Sequence, residues 1–100
     1  MDGYEPSQRI KQEVKKEVRE AWNSLESAKK RIQIMKENVS LAEENLKIAQ
    51  LQYKLGMITI NEVADCQLTL KKTSTKYIGA LIDWQIAKAR LQKAVGKDEL

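Results

Sequence analysis

Histidine and phenylalanine are missing from this 100-residue chain, cysteine and proline occur once each, and there are four glycines. Without histidine no Cys/His zinc set is available, and a single cysteine excludes an intrachain disulfide. Cys66 falls on a periodic apolar face, where it reads as a small buried core residue rather than a reactive thiol. Catalysis has little to draw on: there is no histidine base, no nucleophile with a suitable partner, and no glycine-rich phosphate loop. No enzymatic activity, cofactor or metal is expected. No apolar run approaches the ~20 residues of a membrane span. The opening residues Met1–Pro6 are polar and acidic, unlike a signal peptide, so the chain reads as soluble. Its last four residues spell Lys-Asp-Glu-Leu, an endoplasmic-reticulum address that is useless without an entry signal and is read here as a frayed tail.

What is present favours helix and little else. The 18 basic and 14 acidic residues, net charge +4, are interspersed as on a solvated helix face, and only short runs such as Lys29-Lys30-Arg31 carry one sign. No basic stripe interleaves with aromatics, so nucleic acid is not an expected partner. Pro6 suits a first helical turn, with Ser7 as an alternative cap. Beyond it no glycine or proline interrupts until Gly56, so a helix of roughly 49 residues, about 73 Å long, is predicted over about 6–55. Val18, Leu25, Ile32, Val39, Leu46 and Tyr53 recur every seventh residue, and Ala21, Ala28, Met35, Ala42 and Ala49 follow three later, which makes a heptad seam. A second stripe, Ile34, Leu41, Ile48 and Leu55, lies on nearly the opposite side, as in a helix with neighbours on both flanks.

The second arm repeats the pattern with Val63, Leu70, Tyr77, Trp84 and Leu91, partnered by Cys66, Thr73, Ala80, Ala87 and Ala94. Ile78, Ile82, Ile86 and Ala89 make it apolar beyond its seam. A helix over about 60–95 is predicted, with Gly96 ending it. The expected architecture is all-α, a long antiparallel coiled-coil hairpin over 6–96 whose first arm overhangs the second, with residues 1–5 and 97–100 unstructured. Two helices cannot enclose a core, so other copies or further sequence should complete it. Trp22, Trp84, Tyr53 and Tyr77 are taken as packing residues in preference to a ligand box.

The turn carries the strongest local signals. Gly56 stands where a helix ends in a left-handed residue, and Thr59-Ile60-Asn61-Glu62 is a T-x-x-E capping box. Ile58 and Val63 are spaced for a hydrophobic staple. Glu62 and Asp65 have two readings: favourable charge and capping at a helix start, or carboxylates pointing into an opening where copies meet. Leu55, Met57 and Ile58 put apolar side chains at a hairpin tip, where a purely structural turn prefers polar ones, and so mark a binding surface.

The set Tyr53, Gly56, Thr59, Val63, Asp65, Gln67, Leu70, Tyr77, Ala80, Asp83, Trp84, Ala87, Leu91 and Gly96 resembles the TolC-type outer-membrane efflux protein family. Upstream, Leu41-Ala42-Glu43-Glu44-Asn45-Leu46 and Ala49 fit that family's preceding helix, so the likeness covers residues 36–96. The resemblance implies one repeat's hairpin from an α-helical barrel that three chains build as a periplasmic tunnel. It implies a homo-oligomer, and a periplasmic adaptor (membrane fusion) protein docking at Leu55, Gly56, Met57, Ile58 and Thr59. Glu62 and Asp65 match positions where the family places carboxylates around the narrow entrance. Ile58 stands where some members carry an arginine that latches the entrance, so the likeness does not extend to that latch. The implied location is the outer membrane and periplasm for the complete channel; the chain itself lacks a second repeat and barrel strands. A stand-alone coiled-coil scaffold is the competing reading.

The double striping predicts self-association, because a lone hairpin leaves one stripe uncovered. Sedimentation and thermal melts across a hundredfold range of concentration should show a rising mass and a rising Tm. A monomer with a concentration-independent melt would contradict the assignment of the stripes.

Overall fold

The computed structural model describes residues 4–99, with side chains from residue 8 onward. Two helices, α1 (Tyr4–Lys54) and α2 (Ile60–Asp98), account for nearly all of it, and there is no strand among the described residues. Helix α1 is uninterrupted because its sole proline falls within the first turn, where the backbone donors lack intrahelical acceptors anyway. Same-face pairs reinforce it: Glu26–Lys29 at 3.5 Å, Lys16–Glu20 at 3.9 Å, and Gln33 donating to Glu37 at 3.1 Å. All are exposed, so each contributes at most about 0.5 kcal/mol.

Both predicted ends shift. Tyr4 and Glu5 are helical, where an unstructured N-terminus was expected, while residues 1–3 lie outside the described residues. Ser7, the alternative cap, falls inside α1, and its side chain lies outside the described ones. Gly96 does not end α2, which continues to Asp98, with Glu99 N–H donating to the Val95 carbonyl at 3.1 Å. Among the described residues the left-handed backbone belongs to Gly56 alone, and a glycine with ordinary helical geometry is no stop signal.

The chain divides into two compact units. The first joins the part of α1 up to Lys30 with α2 from Ile82 onward. Its centre is Leu25, Ala28 and Ala87, with Trp84 and Leu91 packed against them. The helices run antiparallel there, and Lys97 donates to Glu17 at 3.2 Å across the pair. Upstream of Glu17, Ile10 of α1 is 59% exposed. The Trp84 ring carries the Lys88 ammonium 5.2 Å from its centroid, a cation–π contact. Its Nε1–H is buried without an acceptor among the described residues.

The second unit, Arg31–Leu81, is a hairpin in itself. Its seam holds Ala42, Ala49, Val63 and Ala80, all buried, with Ile32, Met35, Val39, Leu46, Leu70, Thr73 and Tyr77 half-buried beside them. Cys66 is half-buried and unoxidised, not fully enclosed as the sequence reading expected.

Across both units the buried apolar residues are Ala21, Leu25, Ala28, Ala42, Ala49, Val63, Ala80, Ala87 and Ala94, and seven of these nine are alanine. Helices meeting through alanine approach closely, as the heptad reading required. Each such methyl buries little area, so the seam is tight yet weakly hydrophobic. The larger aliphatics Ile34, Leu41, Ile48, Ile78, Ile82 and Ile86 are about half exposed, on the faces turned away from the seam. Trp22 and Tyr53 correct the packing expectation: they are 52% and 46% exposed, because Trp22 flanks the seam and Tyr53 is the last seam residue before the turn.

Ala49→Leu and Ala87→Leu should therefore each cost about 1–3 kcal/mol by overpacking. Leu51, 58% exposed, should tolerate alanine within about 0.5 kcal/mol. Thermal denaturation followed by circular dichroism distinguishes these cases, and equal melting temperatures for the three variants would contradict the seam.

Candidate functional site

The predicted tip lies wholly in the second unit, between the end of α1 at Lys54 and the start of α2 at Ile60. Gly56 adopts φ of 73°, and its N–H donates to the Tyr53 carbonyl at 3.0 Å. The Met57 N–H reaches back to the Gln52 carbonyl at 2.8 Å. These two bonds form a Schellman motif, which satisfies carbonyls that a helix end otherwise leaves open. A side chain at position 56 would meet nothing within 4 Å, so glycine is needed there for its backbone and not for space.

Three residues later the capping box closes as its sequence requires. The Glu62 N–H donates to Thr59 Oγ1 at 3.3 Å, and the Thr59 N–H donates to Glu62 Oε2 at 3.0 Å. The backbone of α2 is anchored to the same residue, with Glu62 and Val63 N–H groups donating to the Thr59 carbonyl at 3.2 and 3.4 Å. Val63 is 4% exposed and Ile58 half-buried, the burial a staple would give them.

The turn thus satisfies its backbone internally and has apolar side chains left over. Leu55 and Met57 are each 66% exposed, and Ile60 is 57% exposed just inside α2. Leu51, one turn before Leu55, extends the same apolar end. The sequence reading passed over Ile60 and Leu51 because it followed heptads, whereas the i, i+4 spacing of Leu51 and Leu55 shows the pairing. Complete burial of one such side chain stabilises by roughly 1.5–3 kcal/mol. The exposed apolar cluster therefore stands on a turn whose backbone is already hydrogen-bonded.

The two carboxylates differ in their bonding. Glu62 is engaged in the capping box, which agrees with the first of its two readings. Asp65 stands one turn further along α2, exposed, and its backbone carbonyl accepts from Thr69 Oγ1 at 3.0 Å. Its carboxylate has no partner among the described residues.

Two heptad-striped helices joined by this turn make a coiled-coil hairpin, and its sequence matches a known family. The profile of the outer membrane efflux protein family matches residues 8–97. The chain belongs to that family, whose members are components of outer-membrane efflux channels and not enzymes. No curated protein and no solved structure matches it significantly. No helix among the described residues is long and apolar enough to cross a membrane.

Gly56→Ala should destabilise the chain by about 1–2 kcal/mol, entirely through the left-handed backbone, because the added methyl has open space around it. Gly56→Asn should cost less. Thr59→Ala should cost about 1 kcal/mol through the lost cap. Urea unfolding monitored at 222 nm measures all three, and a neutral Gly56→Ala would mean that the turn has another conformation in solution.

Proposed function

We propose that this chain forms a segment of the periplasmic tunnel of a TolC-type efflux channel, assembled in three copies, and that its hairpin tip docks a periplasmic adaptor protein. The observation that carries this reading is the tip itself: Leu55 and Met57 two-thirds exposed on a turn whose backbone is already hydrogen-bonded. A turn serving only to reverse the chain gains nothing from exposed Leu and Met, whereas a docking surface does. Family membership supports the tunnel role, and the apolar residues facing away from each seam supply faces for neighbouring helices.

Within this reading Leu55, Gly56, Met57 and Ile58 contact the adaptor, with Thr59 fixing the geometry from below. Gly56 lets a partner's backbone approach closely, since nothing stands over its α-carbon. Of the two acidic residues, Asp65 is the entrance carboxylate, because Glu62 is held by Thr59.

The test is binding of the cognate adaptor hairpin to the complete channel carrying Gly56→Trp or the double change Leu55→Ser/Met57→Ser. Both should weaken binding at least tenfold with helicity unchanged by circular dichroism. Unchanged affinity beside unchanged helicity would leave the tip a structural turn, and the chain a coiled-coil scaffold.

A further inference from the structure

Helix α2 is uneven along its length in composition and in hydrogen bonding. Residues 69–79 read TLKKTSTKYIG, in which Thr69, Thr73, Ser74, Thr75 and Gly79 are poor helix formers, whereas residues 80–95 contain no serine, threonine or glycine. Three hydroxyls in this stretch turn back on their own helix. Thr69 donates to the Asp65 carbonyl at 3.0 Å, Thr73 to the Thr69 carbonyl at 2.7 Å, and Thr75 to the Lys71 carbonyl at 3.0 Å. Such back-bonding draws on carbonyls that already serve the helical ladder, and it destabilises or bends the helix.

Packing is poor at the same place. The small seam positions here are Cys66 and Thr73 instead of alanine, and both are only half-buried. An open groove lies over Thr73, lined by Asn38, Ala42 and Asn45 of α1 and by Thr69 and Lys76 of α2. Gly79 has nothing within 4 Å of where a side chain would begin, so no close approach accounts for a residue that weakens a helix interior.

From these coincident features we infer that residues 69–79 are a yielding segment of α2, which opens locally while the helix beyond it stays closed. The backbone gives way there because its intrinsic preference, its hydrogen-bond ladder and its tertiary clamp are all weak over the same three turns. Local openings of this kind occur well below the free energy of global unfolding.

Native-state amide hydrogen exchange on the full chain tests the inference. Amides of residues 69–79 should exchange at least about tenfold faster than those of residues 84–94, although the latter lie nearer the helix end at Asp98. Gly79→Ala should slow exchange in 69–79 by about fivefold and leave 84–94 unchanged, since alanine exceeds glycine in helix preference by that factor. Thr73→Val, which removes one back-bonding hydroxyl, should act in the same direction. Equal protection across 69–94 would overturn the inference, as would variants that shift both stretches together and so report only global unfolding.

Discussion

The distance between two helices is set by the side chains placed between them, and here those are mostly alanine. Seven alanines on the two seams let the backbones come close, and everything else about the surface follows from that choice. Alanine in every other layer confines larger seam residues such as Leu25, Ile32, Leu46 and Leu70 to the layers between, and further large aliphatics stand on the flanks and outer faces. It also stabilises little by area alone, since each buried methyl is worth on the order of 0.8 kcal/mol. The helix pair is thus geometrically well defined and energetically dependent on what covers its outside. Under the proposed tunnel role this dependence has a sense, because a helix in such a wall would have neighbours on both flanks.

The turn shows a different division of labour. Gly56, Thr59 and Glu62, with the Met57 N–H, hold the backbone through the Schellman bonds and the reciprocal cap, while the side chains of Leu55, Met57 and Ile60 take no part in those hydrogen bonds and are exposed. Upstream of Glu17 the arrangement is less complete: Ile10 is 59% exposed and Val14 only half-buried. A single helix in water gains little from propensity, so this end relies on contacts outside the pair.

Most of the fold was legible in the sequence, because heptads, a glycine stop and a capping box are local signals with few competing interpretations. Ala42, Ala49, Ala80 and Ala87 are buried where the seven-residue count puts them, and Thr59 and Glu62 exchange the two bonds their spacing predicts. Gly96 misled because glycine marks a helix end only when the backbone turns left-handed, and nothing in the residue's identity reveals its φ. Trp22 misled because large aromatics usually pack, whereas its place beside the seam, not in it, leaves it half in water. Polar side columns also carry a signal in the sequence. Glu17, Ser24, Asn38 and Asn45 recur at multiples of seven on α1, as do Thr69, Lys76, Arg90 and Lys97 on α2. The structure uses one such pair in the Lys97–Glu17 bridge. The tip's apolar residues were visible in the sequence, but their surplus over structural need emerges only once the turn's own bonds are accounted for.

The separation of tasks at the tip has an evolutionary consequence. Three residues carry the scaffold and a different set faces outward, so substitutions at 55, 57 and 60 alter what the tip presents without touching the bonds that shape it. Under the proposed docking role, such a surface can drift from one partner to another through single viable steps. Positions 56, 59 and 62 do not share that freedom, since a change at any one disturbs the geometry on which every partner would rely. Relatives with different partners should accordingly vary at the apolar positions and agree at the glycine, the threonine and the glutamate.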